Sequence, residues 1–185
     1  LLGLIICDGS YANNIVISVG IDETDIIDKV KYVCDKYGYC ISISEQHRGI
    51  RGNYFDINLI LGMQLASFRL KLALLFRGIR KVDRRVPECI MTADDDIRSA
   101  FLAGMIDADG YLYNNKSTVY SLGSTNQYLA YGEFQLANSL GLVARMYTNN
   151  YTPLKEKLRY NNEFDSSELI NSYIACTKKK ITDCV

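Results

Sequence analysis

The stretch FLAGMIDADG, Phe101 to Gly110, decides how this chain is read, because LLGLIICDGS, Leu1 to Ser10, carries a near copy of its pattern. Each is a run of large apolar residues broken by small ones, enough for a short helix, and each closes on Asp-Gly. Asp8 and Asp109 stand 101 positions apart, and the features after them keep nearly that spacing. Tyrosine follows each Asp-Gly (Tyr11; Tyr111 and Tyr113), then an Asn-Asn pair (Asn13 and Asn14; Asn114 and Asn115), then a β-prone segment (IVISVG; STVYSLGS). A helical pattern comes next, closed by Gly38 in one copy and Gly141 in the other, 103 positions apart. An offset held across several elements marks an internal duplication.

Each repeat reads as helix, hairpin, helix, hairpin, helix, which makes the fold class α+β. Asparagine tolerates left-handed backbone angles, so Asn-Asn between two alternating segments predicts a hairpin. Ile26, Ile27, Val30 and Val33 recur at helical spacing before Gly38, and Leu129, Leu136 and Leu140 do so before Gly141. The segment YCISISEQHR alternates with period two and sets Ser42, Ser44, Gln46 and Arg48 on one face; its counterpart runs into KEKLRY, where Lys155, Lys157 and Arg159 share a face. The run LGMQLASFRLKLALLFRGIRKVDRRVP predicts a further helix ending in basic residues, with Pro87 as a breaker. Asp94 or Asp95 can cap the helix after it. The boundary is placed there, giving halves 1–93 and 94–185.

Bulk properties narrow the function classes. Lysine plus arginine number 21, as do aspartate plus glutamate, so net charge does not itself predict a polyanionic partner and local distribution must carry that case. The single histidine, His47, lies in SEQHRGIRG and reads as an exposed loop residue; its isolation removes H-E-x-x-H and most zinc hydrolase sites. The longest apolar runs, LLGLIIC and LKLALLF, are too short to span a bilayer and lack the flanks of a signal peptide, so neither membrane insertion nor secretion is expected. The six cysteines form no C-x-x-C pair and read as reduced, partly buried thiols of an intracellular protein, in cytoplasm or nucleus. The chain opens at Leu1 inside an apolar helix pattern, which suggests a fragment or an excised domain.

The two Asp-Gly helices suggest chemistry. Gly3 in one motif and Ala103 and Gly104 in the other would let two helix backbones approach closely, as at a seam between halves. A carboxylate at a helix C-terminus faces the negative end of the macrodipole, at a cost of about 0.3 to 1 kcal/mol that a divalent cation would offset. One Asp-Gly alone would be read as a helix-stop turn. Asp22, Glu23, Asp25, Asp28 and Asp94 to Asp96 read as solvated face and caps, and Asp107, with Ile6 as its counterpart, has no symmetric role.

FLAGMIDADG differs at one position, Met105 for Leu, from the signature of the LAGLIDADG homing endonucleases, and LLGLIICDG resembles a degenerate first copy. RRVPECI and SLGLV resemble blocks between and after the motifs of intein-encoded endonucleases, especially those of vacuolar ATPase-type inteins and the related mating-type-switching nuclease. The likeness covers nearly the whole chain. It implies two pseudo-symmetric αββαββα half-domains with the motif helices at a central seam and saddle-shaped antiparallel sheets. It implies a monomeric pseudo-dimer that cuts double-stranded DNA at a long asymmetric target, one centre per strand. The last aspartate of each motif, Asp8 and Asp109, would bind Mg2+, with Mn2+ as a substitute.

The same resemblance makes Ser42, Ser44, Gln46, Arg48, Arg145, Lys155, Lys157 and Arg159 candidates for DNA contact. It calls for a basic residue near each centre. Arg84 stands where the first half of the family usually has lysine, and arginine keeps the charge but cannot give up a proton. Lys178, Lys179 and Lys180 occupy the second neighbourhood, with Lys179 or Lys180 favoured. Leu1 and Val185 are neither a splicing nucleophile nor a terminal asparagine, so this chain is expected not to splice. The alternative readings are a non-cleaving descendant, acting as a DNA-binding protein or RNA-splicing maturase, and a protein-interaction module on the same scaffold.

Overall fold

A computed structural model describes residues 1–10, 14–47, 53–60, 68, 70–72, 75, 80–112, 119–150 and 158–165. The chain divides into two compact units, Leu1–Ile79 and Arg80–Val185. Residues 80–93, on the first-half side of the expected boundary, fall in the second unit.

The first unit runs α1 (Leu2–Asp8), β1 (Gly9–Ser10), β2 (Ile15–Gly20), α2 (Thr24–Lys36), β3 (Cys40–His47) and β4 (Asn53–Ile60). Its four strands form one antiparallel sheet in the order β1-β2-β4-β3. Alternation along β2 buries Ile15, Ile17 and Val19, and the register places Ile57 opposite Ile17 and Leu59 opposite Ile15 on the same face. That face meets α1 and α2. Ile26, Ile27, Val30 and Cys34 form the buried stripe of α2; Cys34 takes the place expected for Val33, which is half-buried. Phe68, Leu70, Lys71, Leu72 and Leu75 are helical, as the apolar periodicity there predicts.

The second unit begins with a 3-10 turn (Lys81–Asp83) and a short helix α3 (Glu88–Met91), with Pro87 as the N-cap of α3. The duplicated plan then repeats as α4 (Asp95–Asp109), β5 (Gly110–Leu112), β6 (Val119–Ser124), α5 (Gln127–Ser139), β7 (Ala144–Asn150) and β8 (Leu158–Asp165). The sheet order β5-β6-β8-β7 is that of the first unit. Asp94 is the N-cap of α4 but accepts no side-chain cap bond, and Asp95 pairs with Arg98 instead. Phe101, Leu102, Met105, Leu122, Leu129 and Leu136 are buried.

Both second helices end alike. The Tyr39 N–H donates to Cys34 O at 2.7 Å and Gly38 N–H to Asp35 O at 3.2 Å; Leu142 N–H donates to Ala137 O at 3.1 Å and Gly141 N–H to Asn138 O at 3.0 Å. This Schellman pattern requires a left-handed residue, and Gly38 (φ 67°) and Gly141 (φ 79°) supply it. The architecture is thus α+β with two pseudo-symmetric halves. The closing helix expected for the second half lies outside the described residues.

The described cysteines, Cys7, Cys34, Cys40 and Cys89, are free thiols, the first two buried. Among the described residues no helix is long and apolar enough to cross a membrane. His47 ends β3 rather than sitting in a loop; it is exposed, with Nδ1 2.8 Å from Asn53 Oδ1.

Candidate functional site

The Asp-Gly steps are not ordinary helix-stop turns. Gly9 and Gly110 are extended (φ −79°, ψ 149° and φ −85°, ψ 152°), and each N–H donates back to the carbonyl of Ile5 or Ile106. Each glycine is already the first residue of a strand, with Gly9 opposite Ile17 and Gly110 opposite Leu122. A Cβ at Gly9 would lie 2.4 Å from Ile5 O and 2.6 Å from Ile5 Cα; at Gly110 the distances to Ile106 O and Cα would be 2.5 and 2.8 Å. Helix therefore passes into strand with no linking loop, and only glycine allows so close an approach. The last helical side chain is held at that corner, half-buried for Asp8 and exposed for Asp109.

Neither motif helix has a basic residue in its last turn to offset this negative end. The donors there are hard oxygens, which suit Mg2+ or Mn2+. No cluster of three or more His, Cys, Asp or Glu able to hold a metal occurs among the described residues. A cation at either aspartate would complete its shell with phosphate oxygens and water, as Mg2+ commonly does.

Behind Asp109 lies a buried acid that the sequence reading passed over. Glu133 of α5 is 2% exposed, and Asn162 of β8, fully buried, donates through Nδ2 to Glu133 Oε2 at 2.9 Å and to Ala130 O at 2.8 Å. Burial pushes the Glu133 carboxyl up to about 8; the Asn162 hydrogen bond pulls it down, and the negative charge of Asp109 adds to the rise. The available signal was periodicity: Glu133 stands in the apolar stripe with Leu129 and Leu136, where a charged residue demands an explanation.

The basic segment before Pro87 is fastened to the start of α5. Asn126 caps the helix, its Oδ1 accepting from Tyr128 N at 2.9 Å and Leu129 N at 3.2 Å, while Nδ2 donates to Lys81 O at 3.1 Å and Arg84 O at 2.8 Å. Arg85 stacks its guanidinium on the Tyr128 ring at 4.3 Å. Val86 lies so close to Gly132 that a Cβ there would be 2.7 Å from Val86 Cγ2. Arg84, 6% exposed, is thus buried in the unit of Asp109.

Each sheet turns one face to its helices and the other away from them. In the first unit Ser42 pairs with Asn58, Ser44 with Asp56 and Gln46 with Tyr54, so the three candidates share the outer face. Gln46 Nε2 donates to Ser44 Oγ at 3.2 Å, and Ser18 Oγ to Asp56 Oδ1 at 2.7 Å. In the second unit Asn162 points to α5, so its neighbours Asn161 and Glu163 lie on the outer face. Their partners there are Tyr147, opposite Asn161, and Arg145, opposite Glu163. Arg159 pairs with Asn149.

Residues 85–183 match the family model described as homing endonuclease. The chain belongs to the homing endonuclease family. Its fold is that of LAGLIDADG homing endonucleases of known structure. It resembles I-DmoI in complex with DNA and Mn (TM-score 0.57, 15% identity, 92% of this chain and 89% of that one). It also resembles I-WcaI bound to its DNA recognition sequence (0.58, 14%, 91% and 75%). The N-terminal LAGLIDADG domain of DUF199/WhiA is a more distant likeness (0.50, 15%, 86% and 71%). In sequence, the chain is 23% identical over 162 residues to the replication factor C small subunit of Methanocaldococcus jannaschii, a match spanning 80% of this chain but 8% of that protein.

Of the homing endonuclease site residues expected from sequence, the structure puts Asp8 and Asp109 at equivalent corners of their units. Gly3 and Gly104 are buried and Ala103 is half-buried. Arg48, Lys155, Lys157, Lys178, Lys179 and Lys180 lie outside the described residues.

Proposed function

We propose that this chain is a site-specific homing endonuclease that hydrolyses one phosphodiester in each strand of double-stranded DNA, with Asp8 serving one strand and Asp109 the other. The observation that carries this reading is the twofold occurrence of the same helix-to-strand corner, each closed by a glycine that admits no Cβ and each holding an aspartate. When bound, a divalent cation such as Mg2+ would activate a water for attack on phosphorus and stabilise the departing 3′ oxygen. Asp8 and Asp109 fix where that charge sits. Arg84, with Lys179 or Lys180, supplies positive charge to the phosphate; arginine does not give up its proton, so Arg84 serves as a fixed charge and not as a base.

The outer faces of the two sheets contact the duplex in this reading, through Ser42, Ser44, Gln46, Arg48, Arg145, Lys155, Lys157 and Arg159. Equivalent register positions carry different chemistry. The row Val16, Asn58, Ser42 of the first sheet corresponds to Ser121, Glu163, Arg145 of the second. Two faces so unlike would not read the same half-site, which supports an asymmetric target. An intein setting is supported by RRVPECI and by the small share of a long replication factor that the chain matches.

A supercoiled plasmid bearing the uninterrupted insertion-site sequence, incubated with Mg2+, tests this function. Wild-type protein is expected to give linear DNA and Asp109→Asn nicked circles. Undiminished linear product from Asp109→Asn would sink the assignment. Arginine at position 84 favours one alternative, a descendant that binds without cutting; retention of the plasmid by wild-type protein with no cleavage would select it.

A further inference from the structure

The outer face of the second sheet holds a donor and an acceptor side by side. Glu163 and Arg145 are direct cross-strand partners, β8 to β7, yet the carboxylate takes its hydrogen bond from a neighbour one row along: Tyr147 Oη donates to Glu163 Oε1 at 2.6 Å. That bond holds the phenol as a donor, and with burial it pushes the Tyr147 hydroxyl up to about 12, so the donor persists through the physiological range. Arg145 is exposed and in no ion pair among the described residues. Its five-donor fork and the second Glu163 oxygen therefore stand next to each other on the polar face of a β-ribbon. The row of Tyr147 also holds Gly123 and Asn161. Asn161, opposite both Tyr147 and Gly123, is buried with Nδ2 lacking a hydrogen-bond partner among the described residues, so the platform keeps polar capacity in reserve.

A β-ribbon fits the major groove, where a G·C pair offers two acceptors on guanine (O6 and N7) beside one donor on cytosine (N4). An A·T pair instead sets its amino donor between two acceptors and adds the thymine methyl. We propose that Arg145, Glu163 and Tyr147 form a base-reading unit that selects one G·C pair in the DNA target. Arg145 donates to guanine O6 and N7, Glu163 accepts from cytosine N4, and Tyr147 is a positioning residue that aims the carboxylate. The first sheet cannot make the same selection, because the equivalent positions are Ser42, Asn58 and Ser44. This inference rests on the DNA-binding reading above and adds the base that this face reads.

The test is selection from a randomised duplex library by the full chain, followed by sequencing of the retained DNA. Wild-type protein is expected to enrich a long motif containing one G·C position disfavoured on substitution by roughly 5- to 150-fold, the range for one bidentate contact. Arg145→Ala and Glu163→Ala should both relax that same position and leave the rest of the motif intact. Tyr147→Phe, which keeps the ring, should relax it in part. Glu163→Gln keeps the shape but adds donors, and should move preference away from cytosine rather than merely weaken it. Enrichment of a motif that no variant alters, or relaxation by Arg145→Ala and Glu163→Ala at two unrelated positions, would overturn the base-reading unit while leaving DNA binding in place. A library with no enrichment by wild-type protein would overturn both.

Discussion

Replacing Glu133 with glutamine isolates the cost of a buried acid. The Glu133 carboxyl is held at about 8 in the fold, against an ordinary value of 4.5. Between those pH values the unfolded chain has released its proton while the folded chain keeps it. The folded state then binds more protons, so stability falls as pH rises; it is at its fullest below 4.5 and the loss is complete above 8. At about 1.4 kcal/mol per pH unit, the whole fall is on the order of 5 kcal/mol. That is a large fraction of the stability of an ordinary domain. Glutamine cannot ionise and its carbonyl can still accept from Asn162 Nδ2, so Glu133→Gln mimics the protonated acid. Urea denaturation at pH 5, 6, 7 and 8, with chelator present to keep metal from Asp109, should show near-equal stability at pH 5. By pH 8 the variant should be more stable by several kcal/mol. Groups remote from Glu133 affect both proteins alike and cancel in the difference. Parallel pH profiles for the two proteins, or a variant weaker than wild type at pH 8, would refute the reasoning.

Two further outcomes follow from the same geometry. Gly110→Ala drives a Cβ to 2.5 Å from the Ile106 carbonyl oxygen, whereas Gly141→Ala meets nothing within 4 Å and incurs only left-handed backbone strain. Gly141→Ala should therefore cost roughly 1 to 2 kcal/mol, and Gly110→Ala should cost more and depress DNA cleavage as Asp109 shifts; thermal melts that rank them the other way would contradict the close approach. The double change Glu133→Val with Asn162→Ile copies the apolar residues of the first half and should be nearly neutral or stabilising, while Asn162→Ile alone leaves the buried carboxyl without its hydrogen-bond donor and should cost about 1 to 3 kcal/mol. Denaturant midpoints for the three proteins check the order.

How much of this was readable in advance depended on whether a feature repeats. The corners at Asp8 and Asp109 were legible because each needs a glycine in the same place, and the Schellman glycines because each needs a positive φ. Strand parity for Ser42, Ser44 and Gln46 was legible because period-two alternation is a property of the backbone alone. What escaped the sequence reading depends on contacts between distant segments. Asn126 reaches Lys81 and Arg84 more than forty positions away, and no local pattern attaches that basic segment to α5 rather than to the helix before it.

The buried acid escaped for a subtler reason. α2 and α5 superimpose in sequence with the 103-residue offset of their closing glycines, which makes Val30 the counterpart of Glu133. The rows through the two sheets make Ile57 the counterpart of Asn162, since Gly9 leads to Ile17 and Ile57 as Gly110 leads to Leu122 and Asn162. Val30 and Ile57 are 1% and 0% exposed, so where one half has two buried apolar side chains the other has a hydrogen-bonded acid and amide. A polar pair in such a position adds little stability over an apolar one and can cost more. Its retention in the half that holds Asp109, along with Arg145 and Glu163 on the opposite face of the same sheet, makes the two halves chemically unequal at both the corner and the outer face. A duplicated scaffold keeps its helix ends alike because backbone geometry demands it; the side chains between those ends are free to diverge, and here they diverge where an asymmetric duplex would ask two different questions.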